Sequence, residues 1–155
     1  MTIKSWCEEH YPTSANEFCK NKDALAAIKH TLRKWQGARV EVLDKHNLKF
    51  TRGSLLDENN VKFGFSAESC SLCELSSSKD GDNRNCEICP FHIVFKRACT
   101  TNEYDQYSDY SEFGIWYHDG DPEPMIKSLE EVLKFYLETK EAINGLQTKN
   151  TTGSN

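Results

Sequence analysis

Apolar positions along the chain predict two amphipathic helices, the first over residues 24–36. Apolar side chains recur there at spacings of three and four, as on a helix with one buried face. The stripe consists of Leu25, Ile28, Leu32 and Trp35. Asp23 suits the N-cap of this helix and Gly37 its end. Off the stripe, and therefore expected to face water, are Lys29, Arg33 and Lys34.

The second helix is predicted from Pro122 to about Asn144. Asp121 can cap it, and Pro122 suits its first turn. Its buried stripe comprises Ile126, Leu129, Leu133, Tyr136 and Leu137, flanked by Val132. Gly145 is expected to end the helix. The polar residues 147–155 predict a disordered tail.

Residues 48–67 carry the pattern of strands. Apolar residues alternate there with polar or small ones, namely Leu48, Phe50, Val61, Phe63 and Phe65. The segment 55–60 is a natural turn, so the two runs predict a β-hairpin. A shorter apolar run at 91–95 predicts one more strand. We therefore expect a single α+β domain over residues 1–146, with a small antiparallel sheet, two main amphipathic helices and an inserted loop at 70–89.

The composition is that of a folded chain without a membrane span. The 155 residues suit one domain, and 17 aromatic side chains argue against disorder although 28% of residues are charged. No apolar run approaches the roughly 20 residues that cross a bilayer. The first residues lack the apolar core and cleavage site of a signal peptide. We expect a cytoplasmic location and no membrane partner.

Charge is unevenly distributed along the chain. Residues 20–52 carry nine Lys or Arg and three acids, whereas residues 101–124 carry seven acids and no Lys or Arg. The basic stretch could bind nucleic acid, although the sequence pI of about 5.5 opposes this. Its candidate phosphate contacts are Lys29, Arg33, Lys34, Arg39, Lys45, Lys49 and Arg52. Alternatively, the two stretches lie together and cancel.

Two Cys-x-x-Cys pairs are the most specific chemical signal. Twelve residues separate Cys70 and Cys73 from Cys86 and Cys89. A tight turn brings the two sulfurs of each pair together, and the loop lets four thiolates surround one ion. Zinc suits four thiolates because it has no redox chemistry. The sequence therefore predicts a structural zinc ion held by Cys70, Cys73, Cys86 and Cys89.

Other chemistry at these cysteines stays open. The same four residues could hold an iron–sulfur centre, or remain free thiols or a redox pair. Cys99 or His92 could replace one ligand, although we expect both to lie outside the first shell. Seven cysteines are an odd number, which is atypical of a disulfide framework. Four protein ligands leave no open position for substrate, so the predicted site is structural rather than catalytic.

Three segments together resemble small accessory proteins of tailed bacteriophages, which have no established activity. They are the motif Cys70-Ser-Leu-Cys73 with Cys86-Glu-Ile-Cys89-Pro90, the run His30-Thr-Leu-Arg-Lys-Trp-Gln-Gly37, and the run Pro124-Met-Ile-Lys-Ser-Leu-Glu130. The resemblance covers roughly residues 10–140. It implies a phage accessory protein made inside a bacterium, with no catalytic residue to carry over. The long polar insert between the cysteine pairs departs from the pattern.

An aromatic, acidic segment is the candidate surface for a protein partner. Tyr104, Tyr107 and Tyr110 recur every three residues among acids, and Trp116 follows. Tyr and Trp dominate interface hot spots, and the acids would select a basic partner. In a phage protein, that partner would be a host protein such as a defence or DNA-binding enzyme. Alternatively, Phe113, Ile115 and Trp116 are the core of a strand.

His118 and Asp119 are the best catalytic candidates, and would suit a small hydrolase or nuclease. The alternative is the end of a strand, a turn at Gly120 and a helix cap at Asp121. The chain has no Gly-rich phosphate loop and no His-Glu-x-x-His motif. The sequence therefore leans against an enzyme.

Overall fold

Helices and one small sheet make up the fold, which confirms the α+β class. The computed structural model describes residues 2–21, 23–77, 85–100 and 110–151. The helices are α1 (Ile3–His10), α2 (Ala15–Phe18), α3 (Ala24–Gln36), α4 (Val40–His46), α5 (Ser71–Leu75), α6 (Pro90–Phe95), α7 (Glu112–Asp119) and α8 (Glu123–Thr151). Short 3-10 turns span Cys19–Asn21 and Cys86–Ile88. The antiparallel strands β1 (Lys49–Phe50), β2 (Ser54–Leu56) and β3 (Lys62–Gly64) lie in the order β1-β2-β3.

The central helix is α3, which confirms the prediction for residues 24–36. Asp23 caps it, because its Oδ1 accepts from the backbone N–H of Leu25 at 2.9 Å and of Ala26 at 3.2 Å. Besides the predicted stripe, α3 buries a second one at the spacing i, i+4, i+7, made of Ala27, Thr31 and Lys34. The expectation that Lys34 faces water is therefore wrong, since only 1% of it is exposed. Lys29 and Arg33 are exposed, as expected.

Gly37 ends α3, but not through a left-handed turn, because its φ is −66°. Its lack of a side chain matters for packing instead. A Cβ there would lie 2.6 Å from Cγ of His10 and 2.9 Å from the indole nitrogen of Trp6. That indole N–H donates to the Gly37 carbonyl at 2.7 Å. The glycine lets α1 pack directly on the end of α3.

The sheet is a meander of three strands rather than one hairpin. Leu55 and Leu56, placed in the predicted turn, form the central strand β2 instead. The turn begins at Asp57, whose Oδ1 accepts from the backbone N–H of Asn59 and of Val61, both at 2.9 Å. This carboxylate closes the hairpin between β2 and β3.

The predicted strand at 91–95 is wrong, because this run forms α6. Cys89 is the N-cap residue and Pro90 the first helical residue, a position that proline favours. The strand alternative for Phe113, Ile115 and Trp116 is also wrong. These residues lie on α7, which Ser111 caps by accepting from the N–H of Gly114 at 2.9 Å.

The predicted start of the last helix is confirmed, but its predicted end is wrong. Asp121 Oδ1 accepts from the backbone N–H of Glu123 at 3.0 Å. The helix continues past Gly145 to Thr151, so part of the predicted tail is helical, and residues 152–155 lie outside the described residues. Its buried side chains are Met125, Ile126, Leu129 and Val132. Leu137, predicted to be buried, is 39% exposed.

Aromatic rings fill the centre of the core. Trp35, Phe65 and Trp116 form a triangle with centroid separations of 4.9 to 5.5 Å. They join α3, the segment after β3 and α7. In the described part of the chain, no helix is both long and apolar enough to cross a membrane.

Candidate metal centre

Helix α3 fixes Cys70 by binding the residues on either side of it. Lys34 Nζ donates to the Ser69 carbonyl at 2.8 Å and to the Ser69 hydroxyl at 3.2 Å. On the other side, Ser71 Oγ lies 2.7 Å from Nδ1 of His30. All four of these partners are buried or nearly so, and Cys70 stands between them at the N-cap of α5.

The direction of the bond between His30 and Ser71 follows from the other ring nitrogen. His30 Nε2 lies 3.0 Å from the carbonyl oxygen of Thr13, which can only accept. The N–H is therefore on Nε2, and Nδ1 accepts from the Ser71 hydroxyl. Burial lowers the pKa of His30, which favours this neutral form.

Cys70 and Cys73 form one hydrogen-bonded pair at the start of α5. The bond from the Cys73 thiol, opposed by burial, lowers the pKa of Cys70 to about 5, and the ammonium group of Lys34 adds to this effect. The same bond, together with burial, raises the pKa of Cys73. The pair thus contains one readily formed thiolate, the form of cysteine that binds metal.

Four cysteines from three segments line one cavity of about 400 Å³. They are Cys70 and Cys73 of the first pair, Cys89 and Cys99. Burial raises the pKa of Cys89 to about 11 and also raises that of Cys99. The remaining walls are mainly apolar, with Trp35, Phe65, Phe91, Met125 and Leu129 among them.

Cys86, a predicted ligand, is placed differently from its three companions. It is exposed in the 3-10 turn and does not border the cavity. Cys99 borders the cavity instead. Its carbonyl accepts from the N–H of Phe113 at 3.2 Å, which ties this residue to α7. His92, the other possible substitute, does not border the cavity either. In the described ranges, no three cysteine sulfurs lie within 4.8 Å of one another, so the donors share a cavity without forming a closed tetrahedron.

Lys34 brings a positive charge to this cavity. The ion pairs among the described residues do not include it, and its Nζ lies 4.9 Å from the ring centre of Phe65. Burial lowers its pKa, and the sulfurs of Cys70, Cys73 and Cys99 act in the opposite direction. A buried cation is costly unless negative charge faces it. Zinc with four thiolates would supply that negative charge, so the chemistry of the donors and the charge beside them fit the predicted metal, whereas the spacing of the sulfurs does not close its shell.

Only part of the predicted partner surface lies within the described residues. Tyr104 and Tyr107 lie outside the described residues. Tyr110 is 83% exposed just before α7. The prediction that Trp116 contacts a partner is wrong, because its side chain is 0% exposed and packs in the aromatic core.

His118 and Asp119 are exposed in the last turn of α7, and neither borders the cavity. Gly120 follows with φ 74°, and Asp121 caps α8. These residues thus form a helix end, a turn and a cap. The alternative prediction, a strand end followed by a turn and a helix cap, is therefore correct for the turn and the cap. Its first element is a helix rather than a strand.

Within the part of the chain that the structure describes, one ion pair joins the basic and acidic stretches. Arg39 Nε lies 2.6 Å from Oε1 of Glu123. Lys45 pairs with Glu9, and Arg33 donates to the Glu9 carbonyl at 2.7 Å. Of the candidate phosphate contacts, Lys29, Lys49 and Arg52 are exposed and form no ion pair with another described residue.

Comparisons of the chain with protein-family models, with curated proteins and with solved structures give no match. The resemblance to phage accessory proteins therefore stays a prediction.

Proposed function

We propose that the chain is a non-catalytic binding protein whose cysteine-lined cavity holds one structural zinc ion. The observation that carries the proposal is the convergence of Cys70, Cys73, Cys89 and Cys99 on one cavity beside the buried Lys34. Three of these cysteines belong to the predicted motif. The fourth ligand is Cys86 according to the motif spacing, and Cys99 according to the cavity walls.

Zinc would link two short helices, α5 and α6, that come from separate segments of the chain. Helix α5 has five residues and α6 has six, which is too short for stable helices on their own. Metal–sulfur bonds can order such segments. A shell of four protein ligands leaves no position for substrate, which favours a structural role for the ion over metal-based hydrolysis.

The first test is metal content by elemental mass spectrometry, with thermal unfolding measured alongside. We expect one zinc per chain, and its loss together with a lower Tm in Cys70→Ser and Cys89→Ser. Cys7→Ser is the matched control, because Cys7 is half-buried but far from the motif in sequence and does not border the cavity. Purified protein without zinc, or unchanged stability after loss of a ligand, contradicts the proposal.

A second comparison identifies the fourth ligand. If Cys99 completes the shell, Cys99→Ser loses zinc and Cys86→Ser retains it, and the reverse holds if Cys86 completes it. Cobalt substitution reports the number of thiolates through its absorption spectrum. If both variants lose the ion, or both retain it, neither set of four cysteines describes the site.

For the partner, we propose a basic host protein bound through the acidic tyrosine segment. The exposed ring of Tyr110 and the acidic composition of residues 101–124 support this. The resemblance to phage proteins supports a bacterial host, and seven free thiols suit a reducing cytoplasm. Replacing Tyr104, Tyr107 and Tyr110 by Ser should abolish capture of the partner from bacterial lysate. Phe135→Ser, an exposed aromatic change on α8, is the control, and equal capture by the triple variant contradicts the surface.

Nucleic-acid binding is the weaker alternative, because burial and ion pairs occupy several of its candidate contacts. Lys34 is buried, Arg39 pairs with Glu123, and Lys45 pairs with Glu9. The remaining test is direct. Binding of DNA or RNA that falls steeply with salt would favour this function, and its absence at low salt would exclude it.

A further inference from the structure

A cluster of one carboxylate and two imidazoles lies at the end of α1, outside the cysteine site. Glu9 and His10 are the last residues of α1, and His46 is the last residue of α4. Their ligand atoms all lie within 4.8 Å of one another. In detail, His46 Nε2 lies 3.1 Å and His10 Nε2 3.5 Å from the Glu9 carboxylate.

Ser5 determines which nitrogen of His46 faces the carboxylate with a lone pair. The Ser5 hydroxyl donates its single hydrogen to the Thr2 carbonyl at 2.9 Å. If Ser5 keeps this bond, its contact with Nδ1 of His46 at 3.1 Å needs the hydrogen on that nitrogen. A neutral His46 then has its lone pair on Nε2, which lies 3.1 Å from the Glu9 carboxylate. In that form the nitrogen and the carboxylate repel unless a cation, either a metal ion or a proton on Nε2, joins them.

His10 provides the second observation. Its side chain is 13% exposed, and its Nε2 is buried without a hydrogen-bond partner in the structure. A buried imidazole nitrogen without a hydrogen bond lowers the stability of the fold unless a ligand binds it. This nitrogen lies 3.5 Å from Oε1 of Glu9 without forming a hydrogen bond, and Nε2 of His46 lies 3.1 Å from Oε2 of the same carboxylate.

We propose that Glu9, His10 and His46 bind a divalent transition-metal ion of the class that imidazole prefers, such as Zn²⁺ or Ni²⁺. Bond lengths of about 2.0–2.2 Å place such donors roughly 3.3 Å apart, close to the separations already present. The bond from Nδ1–H to Ser5 Oγ would orient His46, as the hydrogen-bond partners of metal-bound histidines do. The site is independent of the cysteines and would join α1 to α4.

Lys45 competes with the metal. Its Nζ lies 2.8 Å and 2.7 Å from the two oxygens of Glu9. Because its side chain is half exposed, Lys45 can leave for water when a divalent ion binds. Removing its charge should therefore strengthen metal binding, whereas removing a ligand should weaken it.

The experiment titrates Ni²⁺ into the full chain, purified with its zinc, and follows binding by calorimetry and by paramagnetic broadening of amide signals. We expect one equivalent of Ni²⁺ to bind and to broaden signals of residues 5–10 and 43–47, leaving residues 70–75 and 86–99 sharp. Glu9→Gln and His10→Gln should each weaken binding about tenfold or more. Lys45→Gln should strengthen it several-fold. Glu8→Gln, an exposed acid one residue away, is the control and should bind like the parent.

Broadening confined to the cysteine segments would overturn the proposal, because nickel would then bind at the thiolates. No binding at all would overturn it too, and would leave a protonated His46 as the cation beside Glu9. Equal affinity in Glu9→Gln, His10→Gln and Glu8→Gln would also exclude this cluster. Circular dichroism of each variant confirms that the fold is retained.

Discussion

Lys34 Nζ donates to both the carbonyl and the hydroxyl of Ser69, the residue directly before the first motif cysteine. A lysine in the protein interior thus fixes the backbone from which Cys70 projects. Its charge faces sulfur rather than carboxylate, since no carboxylate among the described residues forms an ion pair with it. The stability of Lys34 in the core therefore depends on the charge carried by the cysteines.

Replacing Lys34 by Met should destabilise the zinc-loaded protein. The variant loses the bonds to Ser69 and the positive charge beside the thiolates, a cost of about 1–3 kcal/mol. Thermal unfolding with and without a chelator measures this, and zinc affinity should fall in parallel. Lys29→Met, an exposed change on the same helix, should alter neither quantity. A zinc-loaded Lys34→Met that is more stable than the parent would mean that the cavity carries no negative charge.

Gly120→Ala should destabilise the fold by about 1–3 kcal/mol. Gly120 has φ 74°, a conformation that L side chains rarely adopt, and an added Cβ would lie 2.7 Å from the Phe50 ring. The change would disturb the contact of α7 with β1. The matched control is Gly64→Ala, where the nearest atom lies 3.9 Å away. Chemical denaturation should separate the two, and equal midpoints would contradict the conformational argument.

Asp57 should make stability depend on pH in the acid range. Burial raises the pKa of its carboxyl, but N–H groups of Val61, Ile3 and Asn59 outweigh burial and lower it below the ordinary value. A lowered pKa stabilises the fold above the unfolded value of about 3.9, and this contribution is lost as pH falls through the folded pKa.

The Tm of the parent and of Asp57→Asn should therefore differ at neutral pH and converge as pH falls below about 4. Asp44→Asn, an exposed change on α4, is the control and should follow the parent at every pH. A difference for Asp57→Asn that stays constant across the acid range would show that its charge does not contribute.

The two leucines Leu129 and Leu137 should differ sharply, although both lie on the predicted stripe of α8. Leu129 is buried in the core, so Leu129→Ala should cost about 2–5 kcal/mol. Leu137 is largely exposed, and its replacement by Ala should change stability by less than about 0.5 kcal/mol. Urea denaturation of the two variants gives both numbers, and similar losses would place Leu137 in a covered interface.

Periodicity and capping predicted the parts of the fold in which both signals agree. Residues 24–36 combine an apolar stripe with the Asp23 cap, and the helix has the predicted bounds. The run 91–95 is short and apolar, which does not distinguish strand from helix. The deciding signal was Cys89-Pro90, since proline at the first helical position favours the start of a helix.

The sequence located most of the cysteines that line the cavity, but not the residues around them. Cysteine spacing identified three of the four thiols that line the cavity, whereas Cys99 has no spacing signal and reaches it through tertiary packing. Lys34 was misplaced because a charged residue beside an apolar stripe normally faces water. The available signal was the second stripe of Ala27, Thr31 and Lys34, where small side chains let the helix approach its neighbours.

The bond from the Trp6 indole to the Gly37 carbonyl has a consequence for synthesis on the ribosome. Trp6 packs on a residue made 31 positions later, and Ile3 binds Asp57, which follows 54 positions later. A helix of eight residues is marginal alone, so the first helix has no stable form until both partners have left the exit tunnel. Ile3 and Trp6 therefore remain open to chaperones during that interval, and α1 completes its folding only after Asp57 has emerged.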